Sequence, residues 1–173
     1  MRRRSLDDLP DEEAPDGVEI KVFVPGDEGG WAKLMTGAIG EWDEESTTSQ
    51  FLGDPGVDAD CIFFLVSDEE YVATATDKRL QDSYVGYLHM VAVAPGYRGR
   101  GLGRSISLAA LQHMKGRGCR EAILDTDDDR LPAIRTYLAL GFLPEMVEVD
   151  HPQRWRKAMA ELRAAEQTGR PRV

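Results

Sequence analysis

Residues 91–105 read VAVAPGYRGRGLGRS and join an apolar strand pattern to the start of a helix through glycines and arginines. Glycine lets the backbone approach an anion closely, and the first N–H groups of a helix carry a partial positive charge. Arg98, Arg100 and Arg104 add guanidinium groups that form charge-assisted hydrogen bonds with phosphates. The stretch therefore predicts a phosphate-binding site at a turn between a strand and a helix.

The segments on both sides of this loop alternate between strand and helix patterns. Apolar alternation or continuous apolar runs predict strands at 18–24, 61–67, 71–76, 85–93, 121–126 and 142–149. Apolar periodicity with terminal glycines or prolines predicts helices at 27–39, 43–52, 102–117, 131–140 and from Pro152 onward. Antiparallel strands followed by strand, helix, strand and helix predict one mixed α/β sheet.

Composition bounds the domain organisation. The chain has 173 residues, of which 42% are apolar, and this suits one domain with one core. Residues 1–17 are polar and contain two prolines, so we expect a disordered N-terminal tail. The predicted domain spans 18–150, a C-terminal helix packs on it over 151–167, and 168–173 form a flexible tail.

Charge and apolar content exclude several classes of partner. The net charge of −10 disfavours nucleic acid and anionic membranes. No window approaches the roughly 20 apolar residues of a membrane span, and Arg2–Arg4 lead into acidic residues rather than into an apolar signal core. We therefore expect a cytoplasmic protein. Cys61 and Cys119 lack CxxC spacing and are expected to be reduced structural residues.

Two other phosphate-binding folds compete for the glycine-arginine loop. A nucleoside-triphosphate loop requires Gly-Lys before Ser or Thr, whereas Arg104 precedes Ser105 here, and this excludes it. A dinucleotide-binding fold requires strand, loop, helix and then an acidic residue about 20 residues on, which Asp125 matches. However, the loop glycines have GxGxG rather than GxGxxG spacing, and the chain after Asp125 is short for that fold's second half.

A third interpretation rests on a family resemblance. Arg98-Gly-Arg-Gly101-Leu-Gly103 is similar to the Arg/Gln-x-x-Gly-x-Gly/Ala loop of the GCN5-related N-acetyltransferase (GNAT) superfamily. The strand before it resembles that family's fourth strand, and Ala133-Ile-x-x-Tyr137-x-x-x-Gly-Phe142 resembles its second conserved block. The resemblance covers about residues 85–142. It implies a single-domain fold with a mixed, mostly antiparallel sheet, splayed between its fourth and fifth strands and flanked by helices.

The resemblance also implies an acyl donor and its contacts. Acetyl-CoA would lie with its pantetheine along the fourth strand and its pyrophosphate in the loop. The implied contacts are Val91, Ala92, Val93, Arg98, Gly99, Arg100, Gly101, Leu102, Gly103, Arg104, Ser105, Arg130 and Ala133. Arg130 departs from the family, which often carries Asn at that position, so Arg130 either binds a phosphate or pairs with the acidic run 125–129.

Two residues are assigned catalytic roles. The resemblance implies that Tyr137 stands beside the CoA sulfur as general acid, and a phenol with a pKa of about 10 can protonate a thiolate whose thiol has a pKa of about 8.5. The backbone N–H near Val91 would polarise the thioester carbonyl. His89 is the candidate base for the acceptor amine, because its ordinary pKa is about 6.5 and because it shares strand parity with Val91 and Val93. An ordered water is the alternative base.

The acidic run 125–129 has the spacing of metal-binding aspartates at its start. Asp125-x-Asp127-x-Asp129 begins like a calcium loop, but Arg130 replaces the required glycine and Thr136 the terminal glutamate. No metal site is therefore predicted, and we expect a strand end and a helix cap from these aspartates.

The expected function is transfer of acetyl to a primary amine of a small molecule or peptide. Acidic residues around Trp42 would favour a cationic acceptor, although a solvated helix face is the favoured explanation for them. A weakly catalytic CoA-binding sensor and an O-acyltransferase are the alternatives. The sequence leaves a homodimer open.

Overall fold

The fold is built on one mixed sheet. The structure, a computed structural model, describes residues 1–11, 14–81 and 84–167. In these ranges the chain forms a six-stranded sheet with the order β1-β6-β5-β4-β3-β2. The strands are β1 (Arg2–Arg3), β2 (Glu19–Val22), β3 (Ile62–Ser67), β4 (Glu70–Lys78), β5 (Val85–Val93) and β6 (Glu121–Ile123). β5 and β6 are parallel and the other neighbouring pairs are antiparallel, which gives the predicted mixed α/β sheet.

Helices cover both faces of this sheet. They are α1 (Glu28–Met35), α2 (Glu44–Ser46), α3 (Leu102–Gly116), α4 (Leu131–Ala139) and α5 (His151–Gln167). α1 packs on one face around Trp31 and Phe64, and α3 and α4 pack on the other face around Leu65, Ile106 and Phe142. α5 packs on the outside of α4. No helix among the described residues has both the length and the apolar character to cross a membrane.

The hairpin between β3 and β4 follows from its sequence. Asp68 and Glu69 form its two-residue turn with φ of 49° and 64°, the left-handed values that such hairpin turns require. In β3, Phe63 and Leu65 face α3, while Ile62 and Phe64 face α1. The apolar run is continuous because both faces of the strand are covered.

Residues 1–11 pack on the domain, so the prediction of a disordered tail is wrong for them. β1 pairs with β6 through Arg2↔Ile123, and Arg2 also bridges Leu143 on its other side. Leu6 is only 1% exposed and belongs to the core beneath α3. The polar composition of the segment does not indicate this packing, because a two-residue strand and one buried leucine hold it on the domain. Residues 12–13 and 168–173 lie outside the described residues.

The chain after β1 runs along α3 from its C-terminal end towards its N-terminal end. We call residues 6–11 and 14–16 the strap. The hydrogen bonds that attach it are Leu6 N–H to the Arg120 carbonyl (3.0 Å), Lys115 Nζ to the Asp7 carbonyl (3.0 Å) and Gln112 Nε2 to the Pro10 carbonyl (2.7 Å). The strap thereby connects the β1 edge of the sheet to β2 and brings residues 14–16 beside the first turn of α3.

The predicted last strand over 142–149 is not formed. Leu143 makes an isolated bridge to Arg2, and the segment then continues without strand pairing to α5. β1 occupies the place beside β6. Apolar alternation in 142–149 was therefore misleading, because Leu143, Met146, Val147 and Val149 are all exposed.

A buried carboxylate joins β4 to the end of α3. Asp77 is fully buried, accepts two hydrogen bonds of 2.6 Å from Arg117 and lies 2.9 Å from His113 Nδ1. Its hydrogen bonds raise the pKa of Arg117. Cys61 lies close to Asp77 and His113, and burial raises the pKa of its thiol to about 11. Because Arg117 and His113 already engage the Asp77 oxygens, this cluster is a structural ion pair rather than a metal site.

Arg117→Met is expected to destabilise the fold strongly. It removes both Arg117 hydrogen bonds and leaves only His113, among the described residues, beside the buried carboxylate, and breaking a buried ion pair in this way typically costs about 3–5 kcal/mol in the free energy of unfolding. Arg79→Met is the matched control, because Arg79 pairs at 3.1–3.4 Å with the exposed Asp58 and Asp60, and such pairs contribute less than about 1 kcal/mol. Urea denaturation compares the two variants. Equal small losses would show that Asp77 does not depend on Arg117.

Candidate functional site

The loop between β5 and α3 presents free backbone donors. Arg104 and Ser105 N–H groups donate to the Gly101 carbonyl at 3.0 and 3.1 Å, whereas the N–H groups of 99–103 have no carbonyl partner among the described residues. Gly99 and Gly101 have φ of 77° and 83°, values that glycine adopts without strain. The free donors lie where the dipole of α3 is positive, so the loop suits an anion.

Three arginines lie in this loop and in the first turn of α3. Arg98 Nε donates to the Val93 carbonyl at 3.2 Å, and the Arg100 guanidinium lies 5.0 Å from the centre of the Tyr97 ring. Arg104 is exposed on the first turn of α3. No carboxylate of the described residues forms an ion pair with any of the three. They therefore retain their charge for a ligand.

Other predicted loop contacts have structural roles for their side chains. Leu102 and Ser105 are only 4% and 6% exposed, and Ser105 lines a cavity beside the helix. A Cβ at Gly103 would lie 3.5 Å from Val93, which shows how closely α3 packs on β5. Ala133 packs against the core shared by α3 and α4.

A cavity of about 450 Å³ lies beside the first turn of α3. Its lining residues are Asp11, Ala14, Pro15, Asp16, Gly101, Arg104, Ser105 and Leu108. One wall is thus the start of α3 and the other is the strap. The sequence pattern does not predict this second wall, because residues 1–17 have the composition of a disordered tail.

The sheet opens between β5 and β6. The two strands pair only through Val85↔Glu121, Gly86↔Ala122 and Tyr87↔Ile123, while β5 continues to Val93. After Ile123, the Leu124 N–H bonds the Met1 carbonyl instead of β5. The predicted splay between the fourth and fifth strands is confirmed, and these are β5 and β6 here because β1 adds a strand.

A bulge interrupts β5 within the open part of the split. Thr74 pairs with Ala92 and Thr76 with His89, so β5 has one residue more than β4 in this interval. Met90 has φ of 49°, which is unusual for a residue with a side chain. A bulge leaves its extra residue outside the hydrogen-bonded ladder. The bulge lies where β5 has no partner strand on the β6 side.

The bulge also reverses the side-chain alternation. Val91 and Val93 pack against the core on the α3 face, whereas the His89 ring lies 6.5 Å from Phe51 on the α1 face. The predicted shared parity of His89 with Val91 and Val93 is therefore wrong. It assumed an uninterrupted strand, and no glycine or proline marks the bulge at Met90.

His89 lies among polar groups on the α1 face. Its ring is 5.2 Å from that of Tyr87, and its partner across the sheet is Thr76, whose buried hydroxyl has no hydrogen-bond partner among the described residues. Burial lowers the pKa of His89 and Lys78 lowers it further, while Asp54 and Asp125 act in the opposite direction. His89 is therefore neutral near pH 7 and can accept a proton.

Tyr137 lies on the opposite side of the sheet. It is 7% exposed, packs in the core beneath α4 and meets Phe142 edge-on at 6.1 Å between ring centres. Burial raises its pKa to about 12, although Arg130 acts in the opposite direction. The phenol is therefore protonated at neutral pH. The structure does not bring His89 and Tyr137 together but sets them on opposite faces, with β5 between them.

The acidic run after β6 forms ion pairs rather than a helix cap. Arg130 Nε donates to Asp127 at 2.8 Å, and Arg154 holds Asp128 through two bonds of 2.8 and 2.9 Å. α4 begins after Arg130 without a side-chain cap, so the predicted aspartate cap is wrong. Of the two roles left open for Arg130, the observed one is pairing with the acidic run.

Two features of the site were not predicted. The Tyr87 hydroxyl donates to Asp125 Oδ2 at 3.0 Å across the split. On the α1 face a π-helical turn over Thr47–Phe51 brings Phe51 into contact with Trp31, at 4.0 Å between ring centres. The sequence carries no signal for the π turn. The Tyr87–Asp125 bond could have been predicted, because the parallel register of β5 and β6 places Tyr87 near the end of β6.

Comparisons with known sequences agree with this geometry. The model of the acetyltransferase (GNAT) family matches residues 31–142. A mycothiol acetyltransferase of Thermomonospora curvata is 33% identical over 156 residues, covering 85% of this chain and 52% of that protein. One of Streptomyces coelicolor is 30% identical over 142 residues, covering 79% and 46%. The chain thus spans about half the length of the curated relatives it matches.

Solved structures share the fold. The ribosomal-protein-S18-alanine N-acetyltransferase of Escherichia coli has a TM-score of 0.62 at 21% identity, covering 74% of this chain and 79% of that one. An aminoglycoside acetyltransferase from a soil metagenomic sample has a TM-score of 0.62 at 16% identity, covering 78% and 93%. Because the family model spans most of the domain, including the glycine-arginine loop and both open strands, the chain belongs to the GNAT acetyltransferase family.

Proposed function

We propose that the protein transfers an acetyl group from acetyl-CoA directly to a primary amine of a small molecule or peptide. The observation that carries the proposal is the split between β5 and β6, which ends at a loop with free N–H groups and unpaired arginines. A long, thin molecule with an anionic end fits such a site. CoA has this form.

We assign the contacts to acetyl-CoA to backbone N–H groups and arginines of the loop and to the open edge of β5. The N–H groups of 99–103 and the guanidinium groups of Arg98, Arg100 and Arg104 would hold the pyrophosphate. The unpaired edge of β5, at Val91, Ala92 and Val93, would bond the pantetheine amides as a neighbouring strand does. Arg130 would reach a phosphate only by leaving Asp127, so we expect it to contribute least.

The proposed chemistry uses opposite faces of β5. The amine nitrogen attacks the thioester carbon, N–H groups of the bulge stabilise the negative charge on the carbonyl oxygen, and the carbon–sulfur bond then breaks. Neutral His89 on the α1 face would take the proton that the amine nitrogen loses. Tyr137 on the α3 face would give its proton to the leaving sulfur. The amine and the sulfur are bonded to the same carbon in the intermediate but point in different directions, so a base and an acid on separate faces of β5 can serve one each.

The acceptor is proposed only as a class. Similar proteins are named mycothiol acetyltransferase, ribosomal-protein-S18-alanine N-acetyltransferase and aminoglycoside acetyltransferase, so their names share the word acetyltransferase but not the molecule named before it. Of the acidic residues around Trp42, Asp43 already bonds the Ser46 N–H and hydroxyl in a capping box. A cationic acceptor would therefore have to rely on Glu41, Glu44 or Glu45.

Calorimetric titration with acetyl-CoA, free CoA and NADH tests the donor site. We expect saturable binding of both CoA species and no binding of NADH. Absence of CoA binding would refute the proposal, and binding of NADH alone would favour a dinucleotide site. If acetyl-CoA binds, thiol release with a panel of primary amines and of alcohols distinguishes N-acylation from O-acylation. Binding without release for any acceptor would favour a sensor.

The pH dependence of turnover tests His89. Its pKa is lowered mainly by burial, so activity is expected to fall with decreasing pH only below the ordinary histidine value of about 6.5, where the ring becomes protonated. His89→Gln is expected to lower kcat by about 100-fold and to remove this acidic limb. His151→Gln is the control, because His151 bonds only local backbone groups at the start of α5. An unchanged limb in His89→Gln would favour a water as the base.

A further inference from the structure

The closed end of the split lies at Tyr87. β5 and β6 are still paired at Tyr87↔Ile123, and the next residues of β5 have no partner on that side. Neighbouring strands are about 4.8 Å apart where they pair, so the space between them is narrowest here and widens towards Val93. The split is thus a wedge whose narrow end is at Tyr87 and whose wide end is at the glycine-arginine loop.

A hydrogen bond crosses this narrow end. The Tyr87 hydroxyl donates to Asp125 Oδ2 at 3.0 Å, and Asp125 lies two residues beyond the last paired residue of β6. A bond to a carboxylate is charge-assisted and stronger than one between neutral groups. Burial, followed by the nearby Asp125 charge, raises the pKa of Tyr87 to about 12, so the phenol remains a donor throughout the neutral range. The ring of Tyr87 is therefore held across the narrow end.

The direction of the donor follows from the position of the loop. The glycine-arginine loop comes after Val93, at the wide end, so a molecule with its pyrophosphate there and its chain along β5 points its acyl group towards Tyr87. At about 3.3 Å per residue, Val91 and Tyr87 are at most roughly 13 Å apart along the strand. His89 and the Tyr87 ring, 5.2 Å apart, occupy part of that length.

We infer that Tyr87, held by Asp125, closes the acyl end of the donor site and restricts the donor to short acyl chains. The inference rests on the proposed function, because it requires acyl-CoA in the split. Each added methylene would extend the chain towards the phenol ring and its hydrogen bond. Acetyl leaves both in place, whereas a chain of several carbons has to displace the ring and break the bond to Asp125.

Calorimetric titration with acetyl-, butyryl- and hexanoyl-CoA and with free CoA tests the inference without an acceptor. For the unmodified protein we expect hexanoyl-CoA to bind at least tenfold more weakly than acetyl-CoA. We call the dissociation constant of hexanoyl-CoA divided by that of acetyl-CoA the acyl ratio. Tyr87→Ala is expected to reduce the acyl ratio at least fivefold, with the affinity for free CoA changed by less than twofold. Tyr87→Phe keeps the ring but loses the bond to Asp125, so its ratio should lie between the two.

Tyr84→Ala is the matched control, because Tyr84 is 70% exposed and lies just before β5. Its acyl ratio should equal that of the unmodified protein. Equal binding of acetyl- and hexanoyl-CoA, or a Tyr87→Ala ratio that does not change while free CoA still binds, would overturn the inference and leave the proposed function standing. If no CoA species binds the unmodified protein, both fail together.

Discussion

Gly101→Glu is expected to lower the affinity for CoA at least 30-fold. The new carboxylate would stand at the first turn of α3, where the free N–H groups of 99–103 are proposed to hold the pyrophosphate. Two like charges about 4 Å apart near a protein surface repel by ~2–4 kcal/mol once solvent screening is included, which corresponds to roughly 30- to 1000-fold in affinity. Calorimetric titration with free CoA measures the change.

Controls separate charge from backbone strain in this experiment. Gly101 has φ of 83°, so any side chain there is strained, and Gly101→Gln carries the same strain without the charge. Gly118→Glu adds the same charge at a φ of 94° in open space, near the other end of the 15-residue helix α3. That end is about 22 Å away, beyond the screening length of roughly 8 Å in physiological salt. Equal affinity for all three variants would mean that the loop does not bind the pyrophosphate.

Tyr137→Phe is expected to lower kcat by about 100-fold or more while changing the affinity for acetyl-CoA less than threefold. The variant removes the proposed proton donor to sulfur, and general acid catalysis typically contributes about 10²–10⁴-fold. It keeps the ring that packs against Phe142 in the core. Thiol release with the amine acceptor found by screening gives kcat, and titration with acetyl-CoA gives the affinity.

The interpretation of Tyr137 depends on how the two quantities change. A parallel loss of turnover and binding would make Tyr137 a packing residue, and an unchanged kcat would assign the proton to another donor. Tyr84→Phe, at an exposed position, should change neither quantity. Thermal unfolding of Tyr137→Phe should remain close to that of the unmodified protein, since phenylalanine keeps the ring that packs against Phe142 in the core.

Sequence patterns predicted the loop and the helix start, because their conformation depends on residues that are close together in the chain. The loop from Val93 to Ser105 was predicted correctly as the turn between a strand and a helix, because glycine conformations and the start of α3 depend on neighbouring residues alone. β5 has the predicted bounds, and α4 ends one residue earlier than predicted. Whether these residues bind CoA stays a prediction.

Features that depend on distant residues or on unmarked backbone geometry were missed. β1 forms because Arg2 pairs with Ile123 and Leu143. A polar segment carries no sequence pattern that predicts partners so far along the chain. The bulge at Met90 lacks a glycine, so its left-handed conformation had no sequence signal, and its effect on side-chain direction reversed the face assigned to His89. Side-chain alternation predicts the face of a residue only in a regular strand, and one added residue reverses it.

β1 has a consequence for the order of folding. Its pairings join Arg2 to residues 123 and 143, so most of the chain must be made before they can form. At synthesis rates of about 5–20 residues per second, residues 1–11 wait roughly 6–25 s for β6. Closing so long a loop is entropically costly, and only a completed β5–β6 pair offers β1 an edge to bind. β1 therefore joins the sheet after β6, although it is made before the other five strands.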